Sequence, residues 1–162
     1  MKRKGQFNIE YLVALLIFIS IIIFLSIQLA QAVPEFHADS VSNRVLAQGY
    51  RVTDNLLKTP GQPQRWESSS ASAFGFAERP YLINETKLSA FNSGCIGDYT
   101  GTKNTLGLDT RSDFRISALL NGTAIIDCGQ KRTPLEATQH IIRRTGYTSN
   151  GSLVEITFTV WS

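Results

Sequence analysis

The chain is poor in the side chains that carry most catalysis. Among 162 residues there are two histidines, His37 and His140, two cysteines and one methionine. Two histidines with no His-Glu-x-x-His and no Cys-x-x-Cys spacing leave no metal-site signature. No Gly-x-Ser-x-Gly elbow and no Gly-x-x-x-x-Gly-Lys phosphate cradle occur. Asp109, Asp113 and Asp127 form the nearest thing to an acidic cluster, and they read better as turn and hairpin-end residues. The expectation is a chain that is not an enzyme and has no cofactor, metal or catalytic residues.

Net charge is also scarce once it is located. The formal charge is +3, but Lys2, Arg3 and Lys4 hold three of the sixteen positive charges. Without them thirteen cations face thirteen carboxylates. The basic runs that remain, Lys131-Arg132 and Arg143-Arg144, are pairs rather than patches and read as solvated strand edges or loops. No nucleic-acid partner is expected. The longest absence is of cationic side chains: none occurs between Lys4 and Arg44.

What fills that gap is the most informative part of the sequence. After Lys2-Arg3-Lys4-Gly5 comes Gln6-Phe7-Asn8-Ile9-Glu10, then an apolar run from Tyr11 to Ile27 softened only by Ser20 and Ser26. Tyr11 to Val33 is 23 residues, roughly 34 Å of helix and enough to span a bilayer. A secretory signal has a shorter apolar stretch of about 7–15 residues and a small-x-small cleavage site. Ala30-Gln31-Ala32 has that form, but Asn8 and Glu10 have no role in such a signal. The basic cluster holds the N-terminus in the cytoplasm and places everything after about Pro34 outside the cell.

These residues resemble archaeal type IV pilin-like proteins with a class III, prepilin-type signal peptide. The features shared are a basic leader ending in Gly5, then Gln6, then Glu10 five residues into the remaining chain, then a long apolar helix. Asn8 and Tyr11 stand where many members have Ser and Phe, without altering the charge pattern. The segment Thr59-Pro60-Gly61-Gln62-Pro63-Gln64-Arg65-Trp66-Glu67, with Lys87-Leu88, Leu106-Gly107-Leu108 and Val160-Trp161, is similar to landmarks of euryarchaeal members. The resemblance implies cleavage between Gly5 and Gln6 by a prepilin peptidase. It also implies an assembly role for Glu10, an assembly ATPase with its membrane platform, and other pilin subunits as partners. The implied function is a structural subunit of a surface filament, supporting adhesion. The alternative is a single-pass anchored extracellular binding module that never polymerises.

Beyond the span, Pro34 interrupts a helix by removing a hydrogen bond. Val41, Val45, Gly49, Val52 and Leu56 then recur at helical spacing, with Arg44, Arg51, Asp54 and Lys58 off that stripe. One long kinked helix over 6–58 is expected, after a leader at 1–5 and before a head at 59–162, with Thr59-Pro60-Gly61-Gln62-Pro63 as the stop. In the head, 68–76 reads as loop and 85–91 as a short helix. Phe114–Leu120 and Thr123–Cys128 flank the hairpin dipeptide Asn121-Gly122. A second hairpin joins His140–Tyr147 to Leu153–Trp161, where Val154, Ile156, Phe158 and Val160 alternate with polar residues. Four antiparallel strands on a helix stripe make an α+β, pilin-like head. Trp66, Tyr81, Phe91 and Trp161 read as packing aromatics.

Outside the cell the even cysteine count favours a Cys95–Cys128 bridge between the loop after Phe91 and the first hairpin, with two separate buried thiols as the alternative. Asn84, Asn121 and Asn150 each head an Asn-x-Ser/Thr sequon, so all three are possible glycosylation sites, though Asn-Gly at the last two is also turn chemistry.

Overall fold

The structure is a computed structural model that describes residues 6–67, 70–132, 134 and 137–162, without the side chains of 6–8, 34–35 and 37–38. The expected leader at 1–5 lies outside the described residues. The chain divides into two compact units, Met1–Ser40 and Val41–Ser162. Helix α1, Gln6–Lys58, contributes to both, and its backbone stays helical across Pro34.

In the first unit, Ile9–Val33 is apolar and long enough to cross a membrane, and none of it is buried. It begins two residues earlier than the sequence suggests and so takes in Ile9 and Glu10. Its 25 residues span about 38 Å as a helix, more than the roughly 30 Å of a hydrocarbon core. Ser20 donates to the carbonyl of Leu16 at 2.7 Å, so its hydroxyl is satisfied within the helix.

In the second unit six strands form one sheet in the order β1-β2-β5-β6-β3-β4. The strands are β1 (Ala77–Arg79), β2 (Leu82–Ile83), β3 (Asp113–Leu120), β4 (Thr123–Gly129), β5 (Gln139–Thr148) and β6 (Leu153–Trp161). The hairpins β3–β4 and β5–β6 are the two expected, joined by antiparallel pairing of β3 with β6. Asn121 and Gly122 have φ of 47° and 84°, the doubly left-handed turn whose twist matches a hairpin. The pair β1–β2 is additional to the expected four strands, and β2 runs parallel to β5.

The helix stripe and the strand alternation meet in the core. Val45, Val52 and Leu56 are buried on α1, and Val154, Ile156, Phe158 and Val160 are buried on β6. Gly49 lets helix and sheet close together. A Cβ there would stand 2.6 Å from Ile142 Cδ1 and 3.0 Å from Val160 Cγ1, inside any ordinary contact. Phe114 stacks on Phe158 at 5.7 Å and on Tyr99 at 5.0 Å. Trp66, Phe74, Phe91 and Phe76 form an edge-to-face chain.

Helix α2, Glu85–Gly97, is longer than expected, and α3, Tyr99–Thr105, follows it directly. Cys95 therefore sits in a helix rather than in a loop after Phe91. Tyr81 is a second correction. It is 48% exposed, with φ of 67°, at the turn between β1 and β2. Trp66, Phe91 and Trp161 are buried as expected.

Candidate functional site

The N-terminal candidates fall on the exposed helix. Gly5 lies outside the described residues. Gln6 opens α1, and Glu10 is exposed one helical turn later. No lysine or arginine shares the helix with Glu10 before Arg44, and among the described residues Glu10 makes no ion pair. A lone carboxylate at the start of an apolar span is expensive to bury unpaired.

Cys95 and Cys128 are bonded, Cα to Cα 6.1 Å, and both are buried. The bond joins α2 to β4. Closing its loop stabilises the head by about 3–4 kcal/mol in the chain-entropy account.

The three sequons are not alike. Asn84 caps α2, accepting from the Thr86 and Lys87 amides at 2.9 and 3.3 Å while donating to Glu78 at 2.7 Å. Asn121 ties the hairpin tips together, donating to Ser152 Oγ and accepting from the Leu153 amide, both at 3.0 Å. Asn150 is exposed, and among the described residues its side chain makes no hydrogen bond. Of the three, Asn150 alone has a side chain engaged in no hydrogen bond among the described residues.

The aspartates do not form a cluster. Asp109 pairs with Arg44, Asp113 with Lys103 at 3.2 Å, and Asp127 with Arg115 at 3.0 Å. Among the described residues no group of three metal-ligating side chains occurs. His140 faces Ser42 Oγ at 3.1 Å, and the side chain of His37 is not among those described. An open depression of about 450 Å³ between α2 and α3 is lined by Ser93, Gly94, Gly97, Asp98 and Gly101. Its one carboxylate, Asp98, caps α3 through the Gly101 amide at 2.8 Å. A second, of about 330 Å³, holds Lys87, Glu78 and Asn84. Burial pushes the Lys87 amine below its ordinary value against the opposing pull of Glu78, but Nζ is committed to the Pro60 carbonyl at 2.6 Å.

Sequence reasoning missed a polar ladder on one flank of the head. The Arg144 guanidinium lies 5.2 Å from the Tyr50 ring centre and bonds Asp54 at 3.3 Å. Asp54 in turn holds Lys58 at 2.7 Å. The hydrogen bond from Lys58 keeps the Asp54 carboxyl below its usual range despite partial desolvation, and the same bond raises Lys58. The four-residue spacing of Asp54 and Lys58 was the available signal. Arg144 is thus not the freely solvated cation its doublet suggests.

Burial pushes the Tyr99 phenol from 10.0 up to about 12. Its hydroxyl donates to Asp113 at 3.0 Å and accepts from the Phe114 amide at 3.1 Å. The raised value means that the unfolded chain loses this proton first. Stability is therefore whole below pH 10 and is lost as pH rises toward 12. Chemical denaturation at stepped pH should show a steeper decline between 10 and 12 in the native protein than in Tyr99→Phe. Parallel declines would remove Tyr99 as the cause.

No family profile, no curated protein and no solved structure matches this chain.

Proposed function

We propose that this chain is a structural subunit of an archaeal type IV pilus or related surface filament, made as a membrane precursor. The observation that carries this reading is the Ile9–Val33 helix, wholly unburied and entered through a single carboxylate. The basic leader ending in Gly5 supplies the other half of the argument. Lys2, Arg3 and Lys4 keep the N-terminus cytoplasmic, so the head matures outside, where a buried disulfide persists. Prepilin peptidase removes residues 1–5. The assembly ATPase, its membrane platform and neighbouring pilins then act on the chain that begins at Gln6. The head presents the polar surface that supports adhesion, with Asn150 as its glycan acceptor.

Processing also creates a charge. Once Lys2, Arg3 and Lys4 are gone, the new amine of Gln6 is the cation nearest to Glu10 in sequence before Arg44. The same amine on a neighbouring subunit neutralises Glu10 when the two helices are correctly staggered, so the pair sets the register. Glu10→Gln should leave processing and insertion intact and reduce filaments at least tenfold. Electron microscopy of sheared surface fractions reads the yield. A normal yield would favour the second reading, a non-polymerising anchored module, for which one apolar helix suffices.

A further inference from the structure

The two edges of the sheet are treated differently. At the β4 edge the outward amide of Asp127 donates to the Asn92 side chain on α2 at 3.2 Å, and the disulfide pins α2 there. At the other side β2 covers only Tyr147 and Thr148 of β5. The direction of each β5 backbone group follows from two bonds. The Tyr147 amide donates away from β6 to the Tyr81 carbonyl at 2.9 Å, whereas the Thr148 amide donates across the hairpin to Ser152 at 2.9 Å. The β5–β6 register runs unbroken from Gln139 to Tyr147. Alternation therefore turns the N–H and C=O groups of Ile141, Arg143 and Thr145 to the open edge. Among the described residues these groups have no backbone partner.

Such an edge is a template for another strand, and proteins ordinarily blunt it with proline, a bulge, short length or charged side chains. Of these β5 has only charge, in Arg143. It spans ten residues, without proline, in unbroken register, and Ile141, Arg143 and Thr145 are exposed along it. Its charge selects the occupant. The strand carries two arginines and no carboxylate, and with Arg144 bonded to Asp54 the charge presented at the edge is that of Arg143. Among the described residues Arg143 makes no ion pair, although Glu155 is diagonal to it on β6. Antiparallel pairing of two β5 edges would set Arg143 opposite or diagonal to its own copy, so self-association at this edge is disfavoured.

We infer that the open edge of β5 is a docking site for an extended, acidic segment of another protein, which adds a strand in line with β2. Backbone pairing with Ile141, Arg143 and Thr145 supplies the bonds, and Arg143 selects carboxylates at alternate positions. The inference does not depend on filament formation.

The test uses the full chain in detergent micelles and a capped seven-residue peptide alternating glutamate with valine. Amide exchange is read residue by residue by NMR. At saturating peptide, Ile141, Arg143 and Thr145 should exchange about tenfold more slowly, while Ile142 and Arg144, already bonded to β6, stay unchanged. Arg143→Glu should abolish the effect and transfer it to the lysine-for-glutamate peptide. The inference is overturned by no slowing, by equal slowing with the lysine peptide in the native chain, or by slowing without peptide that grows with protein concentration, which would assign the edge to a second copy.

Discussion

Phe158→Ala should lower the stability of the 41–162 unit by about 3–5 kcal/mol, the range for an aromatic ring removed from a closed core. The ring is fully buried on β6, between Ile116 of β3 and Ile142 of β5 in register, and it stacks on Phe114. Gly49 of α1 faces it across the helix–sheet contact, where a Cβ would lie 3.8 Å from the ring's Cδ1. Backbone lies on both sides, so little can collapse into the space. Small domains hold only about 5–15 kcal/mol in total, so the variant should sit near its folding threshold. Thr157→Ala, one residue along and on the polar face, should change stability by no more than about 0.5 kcal/mol. Urea midpoints with the disulfide kept oxidised compare the two. Equal midpoints would mean that the alternation on β6 does not define the core.

The second large effect concerns maturation. Gly5→Arg should abolish removal of the leader, because a bulky cation replaces the smallest residue at the proposed scissile bond. The Ile9–Val33 span is untouched, so the precursor should remain in membranes at normal abundance and keep its Cys95–Cys128 bond. Immunoblots of membrane and sheared fractions should show full-length chain in the first and none in the second. Filaments built from the uncleaved variant would contradict the proposed order of processing before assembly.

Periodicity makes much of the fold legible in the amino-acid sequence. Val45, Gly49, Val52 and Leu56 keep helical spacing and are all buried, whereas Val41, the first residue expected on that stripe, is exposed; four alternate residues of β6 are buried with period two. Asn121-Gly122 locates a turn because few other dipeptides tolerate two left-handed residues. The misses have physical reasons. β1 and β2 have three and two residues, too few for a pattern, and they exist because the chain after α1 returns to pair with β5. Tyr81 reads as a packing aromatic but occupies a tight left-handed turn. In α2 the residues after Phe91 include Asn92, Ser93 and Gly94, weak helix formers. Burial of Cys95 and its bond to β4 hold that turn, which local propensity cannot reveal. The N-cap role of Asn84 is hidden behind its sequon. The polar ladder through Arg144 and the bare β5 edge depend on strand order, which no local signal in the sequence encodes.

The most direct test of the filament-subunit account is intact-mass and N-terminal sequencing mass spectrometry of the protein recovered from its native surface. The account predicts a chain beginning at Gln6, lacking residues 1–5 and retaining the whole apolar helix. A chain beginning at Val33 would make the helix a discarded secretory signal, and an intact Met1 or Lys2 would make it a plain anchor. Either result would contradict the account.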